Sequence, residues 1–106
     1  MEILLHSIVI PVYRSKDILK STVSRISEVM EKANLDYELI MIDDGSQDGS
    51  YEEIKCLAEK YDSIRGFRLS RNFGHQAALV IGLSKTKGDY VAIIDDDLQD
   101  PPEVLL

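Results

Sequence analysis

The chain has 106 residues, of which 44% are hydrophobic and 29% charged, and its formal net charge is −7. This length suits one compact domain with one core. The acidic excess argues against a nucleic-acid-binding surface, which needs a net basic footprint, and no apolar run approaches the length of a membrane span.

The start of the chain lacks the basic region and long apolar core of a signal peptide. Its single cysteine, Cys56, excludes an internal disulfide and fits a reducing compartment, so we expect a cytoplasmic protein. Because Cys56 stands beside Leu57 in a helical pattern, we predict a buried structural thiol rather than a nucleophile.

Four short apolar runs predict four strands, at residues 7–12, 37–42, 64–69 and 90–94. The first, second and fourth are apolar on both sides of the pleat, which is typical of strands buried on both faces. The third contains Gly66 and alternates apolar with basic residues, so we expect it at a sheet edge, where self-association is a risk.

Helical patterns separate these runs. The first pattern has an apolar face at steps of four and three: Leu19, Val23, Ile26, Met30 and Ala33. In the second, Ser50 and Glu53 predict a capping box, with an inward face of Tyr51, Ile54, Leu57 and Tyr61.

A third helix is predicted after Gly74, with Ala77, Ala78 and Ile81 tightly packed. A further helix start is predicted from Asp100, Pro101 and Glu103. The chain stops soon afterwards with Val104, Leu105 and Leu106 uncovered, so we expect a truncated domain in which these residues favour self-association.

Alternating strands and helices predict an α/β fold with a doubly wound, mainly parallel sheet and right-handed crossovers. In the common order, the first strand lies beside the fourth and has the second and third on its other side. Ligands bind at the carboxyl ends of such strands, where this order reverses. The loops after strands one, two and four should therefore converge.

The fourth strand leads into three consecutive carboxylates, Asp95, Asp96 and Asp97. Like charges this close raise one another's pKa unless a cation lies among them, and a hard divalent ion such as Mg²⁺ or Mn²⁺ prefers oxygen ligands and substrate phosphates. Asp95 and Asp97 point the same way in extended geometry, and Gln99 adds a neutral oxygen on that side. Asp96 points elsewhere, to a ribose or to a supporting hydrogen bond, while Asp100 is expected to cap a helix.

Asp43 and Asp44 follow the second strand, where they can accept hydrogen bonds from a uracil or guanine N–H or from ribose hydroxyls. Asp48 and Ser50 in the same loop are better explained as turn and cap residues. After the third strand, Arg71 can offset diphosphate charge near a helix N-terminus. His75 is expected to be a surface residue at the start of that helix, and His6 to be structural.

Three competing nucleotide or phosphate folds are disfavoured. The loop after strand one reads Pro-Val-Tyr-Arg rather than G-x-G-x-x-G, and no loop ends in Gly-Lys-Ser/Thr. A phosphoacceptor receiver domain would place its acidic pair after strand one and its modified Asp after strand three, and neither position is acidic here.

Four segments together resemble the family 2 inverting glycosyltransferases of the GT-A fold, and in particular the polyprenyl-phosphate (dolichyl- or undecaprenyl-phosphate) sugar transferases. These segments are residues 9–13, 42–50, 71–74 and 95–103, and they occur in the family's order over nearly the whole chain. The resemblance implies that residues 1–106 are the nucleotide-sugar-binding N-terminal part of a catalytic domain.

The resemblance also implies roles for individual residues. Pro11 and Tyr13 would line the nucleotide site, and Asp43 and Asp44 would contact base and ribose. The acidic turn matches the D-x-D metal motif, with Asp95, Asp97 and Gln99 as ligands of Mg²⁺ or Mn²⁺ near the donor diphosphate. Arg71 and Asp96 complete the predicted donor-binding residues.

The sequence departs from the family pattern at two places. Arg14-Ser15 replaces a common Asn-Glu, which removes a carboxylate expected near the base, and the middle of D-x-D is Asp96 where a small residue is usual. Family members also continue well beyond Leu106, where a general base, if one is used, and the acceptor site are expected.

The resulting hypothesis is a metal-dependent inverting enzyme that transfers a sugar from a UDP- or GDP-linked donor to an acceptor, expected to be a polyprenyl phosphate, at the cytoplasmic face of the membrane. Two alternatives stay open. One is a nucleotide-binding fragment without turnover, and the other is a family 2 transferase that acts on a polysaccharide or other glycan. The sugar, the base, the acceptor and the oligomeric state are not determined by the sequence.

Overall fold

A computed structural model describes residues 4–96 and contains four strands and three helices. In chain order these are β1 (Leu5–Val12), α1 (Lys16–Lys32), β2 (Asp36–Asp43), α2 (Ser50–Lys60), β3 (Ile64–Arg68), α3 (His75–Ser84) and β4 (Tyr90–Ile93). The predicted helix start at Asp100 lies outside the described residues. No helix in the described part of the chain is long and apolar enough to cross a membrane.

The strands form one parallel sheet in the order β3-β2-β1-β4, which confirms the predicted doubly wound arrangement. Val9 of β1 is in register with Ile40 of β2 on one side and with Ile93 of β4 on the other. β3 lies at an edge, as its sequence predicts. The carboxyl ends of β1, β2 and β4 therefore meet at one edge of the sheet, where the predicted site residues follow.

The core has two parts, one on each face of the sheet. On one face, α1 and α2 cover alternate residues of β1 and β2 in the larger cluster, which includes Ile8, Ile10, Leu39 and Met41. On the other face, α3 contributes Ala78 against Val9, Ile40 and Ile42. Burial on both faces is thus confirmed for β1 and β2.

The same prediction is wrong for β4. Tyr90, Val91 and Ile93 are all exposed, and Ala92 is only half-buried. β4 pairs with β1 on one side only, so in the described region it is an outer strand, and its apolar sequence does not reveal this position.

The predicted apolar faces of α1 and α2 are buried at their central positions but not at every end position. Leu19, Val23, Ile26 and Met30 of α1 are buried, whereas Ala33 lies beyond the last turn as the C-cap. In α2, Ile54 and Leu57 are buried, and Tyr51 and Tyr61 are partly buried.

Two predictions for α2 are wrong. The N-cap is Gly49, and Ser50 is already the first helical residue, so no Ser50–Glu53 capping box forms. Cys56 is exposed. It follows Ile54 by two positions, a rotation of about 200° that turns it away from the core.

A buried polar network closes the end of the sheet opposite these carboxyl ends. Glu38, at the start of β2, accepts hydrogen bonds from the Ser7 hydroxyl at 2.6 Å, from the Lys87 N–H at 2.7 Å and from Arg65 Nη1 at 3.2 Å. Burial alone would raise the pKa of Glu38, but these hydrogen bonds and the Arg65 charge outweigh it and hold the pKa below its ordinary value of 4.5. The network joins three strands to the loop before β4.

Replacement of Glu38 by Gln should lower the free energy of unfolding by about 1–3 kcal/mol at pH 7, because buried donors lose a charged acceptor. Since the folded pKa lies below the unfolded one, the stabilisation by Glu38 is complete above about pH 4.5 and is lost as pH falls through the folded value. Urea unfolding of both proteins between pH 7 and pH 3 tests this. The difference in free energy of unfolding between the two proteins should become smaller as the pH falls.

The control is Glu28→Gln, which removes the exposed pair between Glu28 and Lys32 on α1. Exposed pairs of this kind contribute about 0–1 kcal/mol, so little change is expected. The role of the Glu38 network would be contradicted if both substitutions lowered the free energy of unfolding equally. It would also be contradicted if the loss caused by Glu38→Gln did not depend on pH.

Candidate active site

The loops after β1, β2 and β4 meet the start of α3 around a cavity of about 520 Å³. This volume lies within the range of small-molecule sites. Five residues singled out in the sequence line it together: Pro11, Tyr13, Asp44, Asp95 and Asp96. Val12, Asn72, Gly74, His75 and Ala78 complete the wall.

The acidic turn is described only in part. Asp95 and Asp96 lie on the cavity wall, while Asp97, Gln99 and Asp100 fall outside the described residues. Within residues 4–96 no three His, Cys, Asp or Glu side chains cluster as a metal centre would require. A carboxylate at the end of β4 and on the cavity wall is a hard oxygen donor, so Asp95 has the chemistry that Mg²⁺ or Mn²⁺ requires.

Asp43 is fully buried at the end of β2 and does not line the cavity. Its Oδ1 accepts a hydrogen bond from the Ser46 N–H at 3.3 Å, while Oδ2 has no hydrogen-bond partner and lies 3.9 Å from Arg68 Nε. Burial raises the pKa of Asp43, and the hydrogen bonds from Ser46 and the charge of Arg68 oppose this shift only in part. A buried acceptor without a partner is uncommon in a native protein.

Asp44 uses both carboxylate oxygens to hold the loop between β3 and α3. Oδ1 accepts from the Phe73 N–H at 2.8 Å and Oδ2 from the Gly74 N–H at 3.1 Å. The carboxylate thus lies at the N-terminus of α3, where negative charge is favourable. Asp44, although buried, therefore both lines the cavity and holds the loop that forms another part of its wall.

Gly45 allows these two loops to touch. Its φ is +71°, and a Cβ at this position would lie 2.3 Å from the backbone carbonyl carbon of Arg71. Backbone cannot give way as a flexible side chain can, so any other residue here would separate the loops.

The loop after β1 is bound to the loop after β2 through three successive amides. The N–H groups of Arg14, Ser15 and Lys16 donate to Ser46 Oγ at 2.8 Å, Ser50 Oγ at 3.0 Å and Asp48 Oδ2 at 3.5 Å. These amides at the start of α1 therefore have protein acceptors, so α1 does not offer them to an anion.

Asp48 also takes part in the local turn, as its sequence predicts. Its Oδ1 accepts from the Ser50 N–H at 3.0 Å and from the Ser50 hydroxyl at 2.6 Å. The hydroxyl bond is the main reason that the pKa of Asp48 is lowered.

The aromatic side chain of Tyr13 is 40% exposed and lies on the cavity wall. The Arg14 guanidinium is 5.3 Å from the centre of its ring, a distance typical of a cation–π contact. The cavity thus has an aromatic surface at one side and carboxylates at the end of β4.

Asp96 is directed towards the protein, which agrees with one of the two orientations predicted for it. Its Oδ2 accepts a hydrogen bond from the Tyr13 N–H at 3.4 Å and another from the Ser15 hydroxyl. Its backbone carbonyl accepts from the Thr22 hydroxyl at 2.6 Å.

Arg71 is exposed and does not line the cavity. Its guanidinium carbon lies 4.7 Å from the centre of the Phe73 ring, and Phe73 does not line the cavity either. His75 is the first residue of α3 and is exposed, as predicted, but it also lies on the cavity wall. His6 lies outside the site and stacks on Tyr90 with 5.2 Å between ring centres.

Sequence reasoning missed several residues that form the site. Asn72 and Ala78 line it, and Ser15, Ser46 and Thr22 position its loops. The position of Asn72 two residues before Gly74, the N-cap of α3, was a usable signal. Nothing in the spacing of Thr22 indicates that a helix residue would bond to the acidic turn.

The comparison with protein families decides the assignment. The model of the family described as "Glycosyl transferase family 2" matches residues 7–106. The chain belongs to this family. The recognised resemblance and the GT-A fold class are thereby confirmed.

Two curated relatives illustrate the similarity. The chain is 43% identical over 103 residues to undecaprenyl-phosphate 4-deoxy-4-formamido-L-arabinose transferase of Aeromonas hydrophila, covering 96% of this chain and 32% of the relative. It is 40% identical over 101 residues to the uncharacterized glycosyltransferase YkcC of Bacillus subtilis (strain 168), covering 95% and 31%. The chain thus spans about a third of the length of these curated relatives.

Solved structures show the same fold at low identity. The mannosyltransferase PcManGT from Pyrobaculum calidifontis, in complex with GDP-Man and Mn²⁺, matches with a TM-score of 0.78 and 20% identity over 94% of this chain and 34% of that chain. Residues 1–349 of Staphylococcus aureus TarS, in complex with UDP-GlcNAc, match with a TM-score of 0.73 and 20% identity over 87% and 26%.

Asp43→Asn and Asp48→Asn should change stability in opposite directions at pH 7. The raised pKa of Asp43 means that its ionised form is disfavoured in the folded state. Its contribution to the stability of the fold is therefore favourable below about pH 3.8 and is lost as pH rises through the folded pKa. The lowered pKa of Asp48 has the reverse sign, so its stabilisation is present above about pH 3.8 and is lost towards acid.

Thermal unfolding between pH 7 and pH 3 measures both effects. Asp43→Asn should raise the midpoint at pH 7, where about 1 kcal/mol corresponds to roughly 4–8 °C in a domain of this size. Asp48→Asn should lower it slightly, and both differences should shrink towards pH 3. A lower midpoint for Asp43→Asn at pH 7 would show that its carboxylate is well satisfied, contrary to the unpaired Oδ2.

Proposed function

We propose that this chain is the donor-binding part of a metal-dependent, inverting glycosyltransferase. The cavity at the carboxyl ends of β1, β2 and β4 would hold a nucleoside-diphosphate sugar. One observation carries the proposal: the exposed ring of Tyr13 and the carboxylate of Asp95 lie on the wall of the same cavity. An aromatic surface and hard oxygen ligands suit the two ends of such a donor.

The base and ribose belong at the side formed by the loops after β1 and β2. Pro11 and Tyr13 offer an apolar surface on the cavity wall, and Asp44 offers a carboxylate whose oxygens have further lone pairs. We assign Asp43 to the same region because it directly precedes Asp44 and its Oδ2 lacks a hydrogen-bond donor, which a base N–H could supply. Arg71, which precedes the wall residue Asn72, would contribute positive charge near the phosphates.

The diphosphate belongs at the end of β4. Asp95, Asp97 and Gln99 would hold Mg²⁺ or Mn²⁺, which neutralises negative charge on the nucleoside diphosphate as it leaves. The structural neighbour PcManGT is in complex with GDP-Man and Mn²⁺, and TarS is in complex with UDP-GlcNAc. Both support a donor of this chemical class, and neither selects the base.

For the acceptor we propose a polyprenyl phosphate at the cytoplasmic face of the membrane. The support is the similarity to the Aeromonas hydrophila relative, which is named undecaprenyl-phosphate 4-deoxy-4-formamido-L-arabinose transferase. A lipid phosphate is already anionic at neutral pH, so it can attack the anomeric carbon without a general base. Acceptor recognition, and any base, would be supplied outside residues 1–106.

Isothermal titration calorimetry with UDP, GDP and Mn²⁺ tests the donor site. We expect one of the two nucleotides to bind, and Mn²⁺ to tighten its binding by about tenfold or more, since 1.4 kcal/mol corresponds to a factor of ten. Asp95→Asn and Asp97→Asn should abolish most of the Mn²⁺ effect because each removes an anionic oxygen ligand.

Asp36→Asn is the matched control, because Asp36 is exposed at the start of β2, at the opposite end of the sheet. It should leave both affinities unchanged. Absence of UDP and GDP binding with and without Mn²⁺ would overturn the proposal. Nucleotide binding without sugar transfer to undecaprenyl phosphate would support the non-catalytic alternative instead.

A further inference from the structure

The middle carboxylate of the acidic turn is used inside the protein. Two donors, the Tyr13 N–H at 3.4 Å and the Ser15 hydroxyl, both point to the same oxygen, Asp96 Oδ2. The Thr22 hydroxyl donates to the Asp96 backbone carbonyl at 2.6 Å. Asp96 thus connects the end of β4 to the loop after β1 and to the middle of α1.

Neither hydroxyl caps a helix, and both lie within hydrogen-bond distance of Asp96. Ser15 is the N-cap of α1, yet its side chain makes no capping hydrogen bond and is directed to Asp96 and to the Tyr13 carbonyl. Thr22 is buried on the inner face of α1, where a hydroxyl needs a partner, and the Asp96 carbonyl is its partner.

We propose that Asp96 is a positioning residue that couples the metal end of the donor pocket to its base end. The inference rests on the proposed function, because it assigns those two ends. Asp95, one residue earlier, lies on the cavity wall, and so does Tyr13, whose N–H is bonded to Asp96. Asp96 also lies on the wall, but the hydrogen bonds to its Oδ2 come from the protein, so its action on the donor passes through Tyr13.

The coupling follows from shared ordering. A metal ion bound at Asp95 would restrict the turn, and the hydrogen bond from the Tyr13 N–H to Asp96 Oδ2 would pass this restriction to the loop after β1. A base that stacks on Tyr13 then binds to a loop that is already ordered, so it loses less conformational entropy. By reciprocity, the base strengthens metal binding by the same factor.

The geometry also separates this role from metal ligation. Because both donors use one oxygen, the amide oxygen of Asn can accept both hydrogen bonds, whereas Ala can accept neither. A carboxylate that binds a divalent ion contributes negative charge as well as an oxygen, and Asn keeps the oxygen but loses the charge. Asp96→Asn and Asp96→Ala should therefore differ if Asp96 positions, and should resemble each other if its charge binds metal.

The test uses uridine and guanosine, which have no phosphates and so can respond to Mg²⁺ only through the protein. Nucleoside affinity is measured on the full chain by NMR titration, with saturating Mg²⁺ and with chelator. We expect Mg²⁺ to tighten binding of one nucleoside by about fivefold, at the low end of known coupling between sites. This factor should fall to about onefold in Asp96→Ala and persist in Asp96→Asn.

A second pair of variants guards against misfolding of Asp96→Ala. Thr22→Val removes the hydroxyl at nearly constant shape and should weaken the Mg²⁺ effect, while Thr22→Ser keeps the donor and should preserve it. Melting curves of each variant identify any loss of fold.

The outcomes separate the two proposals. If UDP or GDP binds with Mn²⁺ but nucleoside affinity ignores Mg²⁺, the coupling is refuted and the donor site stands. Full coupling in Asp96→Ala, or equal losses in Asp96→Ala and Asp96→Asn, also refutes it. If neither nucleotide binds to the wild-type chain, the proposed function fails and the coupling fails with it.

Discussion

The loops around the cavity contain backbone N–H groups that no strand or helix can satisfy, and side chains of neighbouring loops accept their hydrogen bonds. Asp44 accepts from two amides of the β3–α3 loop, and Ser46, Ser50 and Asp48 accept from three at the start of α1. Loops with so little regular structure keep one shape only if such groups are paired. The cavity therefore depends on side-chain acceptors as much as on the sheet beneath it.

This explains why the acidic and serine-rich loop after β2 has a double character. Some of its carboxylates and hydroxyls accept hydrogen bonds from neighbouring loops, whereas one oxygen of Asp43 has no hydrogen-bond partner. Burial raises the pKa of that residue. Residues that stabilise the loops and residues that are left unsatisfied thus lie side by side, which is common where stability and binding compete.

Local sequence predicted those parts of the fold that depend on local chemistry. The strands β1 and β2 are apolar on both faces because both faces are covered, and the strand order follows from the alternation of strands and helices. The exposure of β4 was not predictable, because burial of an outer strand depends on its neighbours rather than on its own residues. The prediction for Cys56 was wrong because neighbours in a helical sequence point in different directions, so a buried Leu57 does not imply a buried Cys56.

In the site, the sequence identified which loops converge but not what each polar side chain contacts. Pro11, Tyr13, Asp44, Asp95 and Asp96 do share one cavity, since parallel strands bring their carboxyl ends together. That Thr22 bonds to the acidic turn depends on where α1 lies relative to the residues after β4, and hydrogen-bond partners distant in sequence leave no periodic pattern. Residue types predicted the place, and packing determined the partners.

The contact of Gly45 with Arg71 has an evolutionary consequence. At this point the backbones of two loops touch with no side chain between them, so neither loop can gain or lose a residue near the contact without displacing the other. Insertions that diversify the cavity are therefore more easily tolerated elsewhere on its rim. The length of the β3–α3 loop is therefore constrained by Gly45, whose side chain is a single hydrogen atom and which lies in another loop. The sequence of the β3–α3 loop itself does not show this constraint.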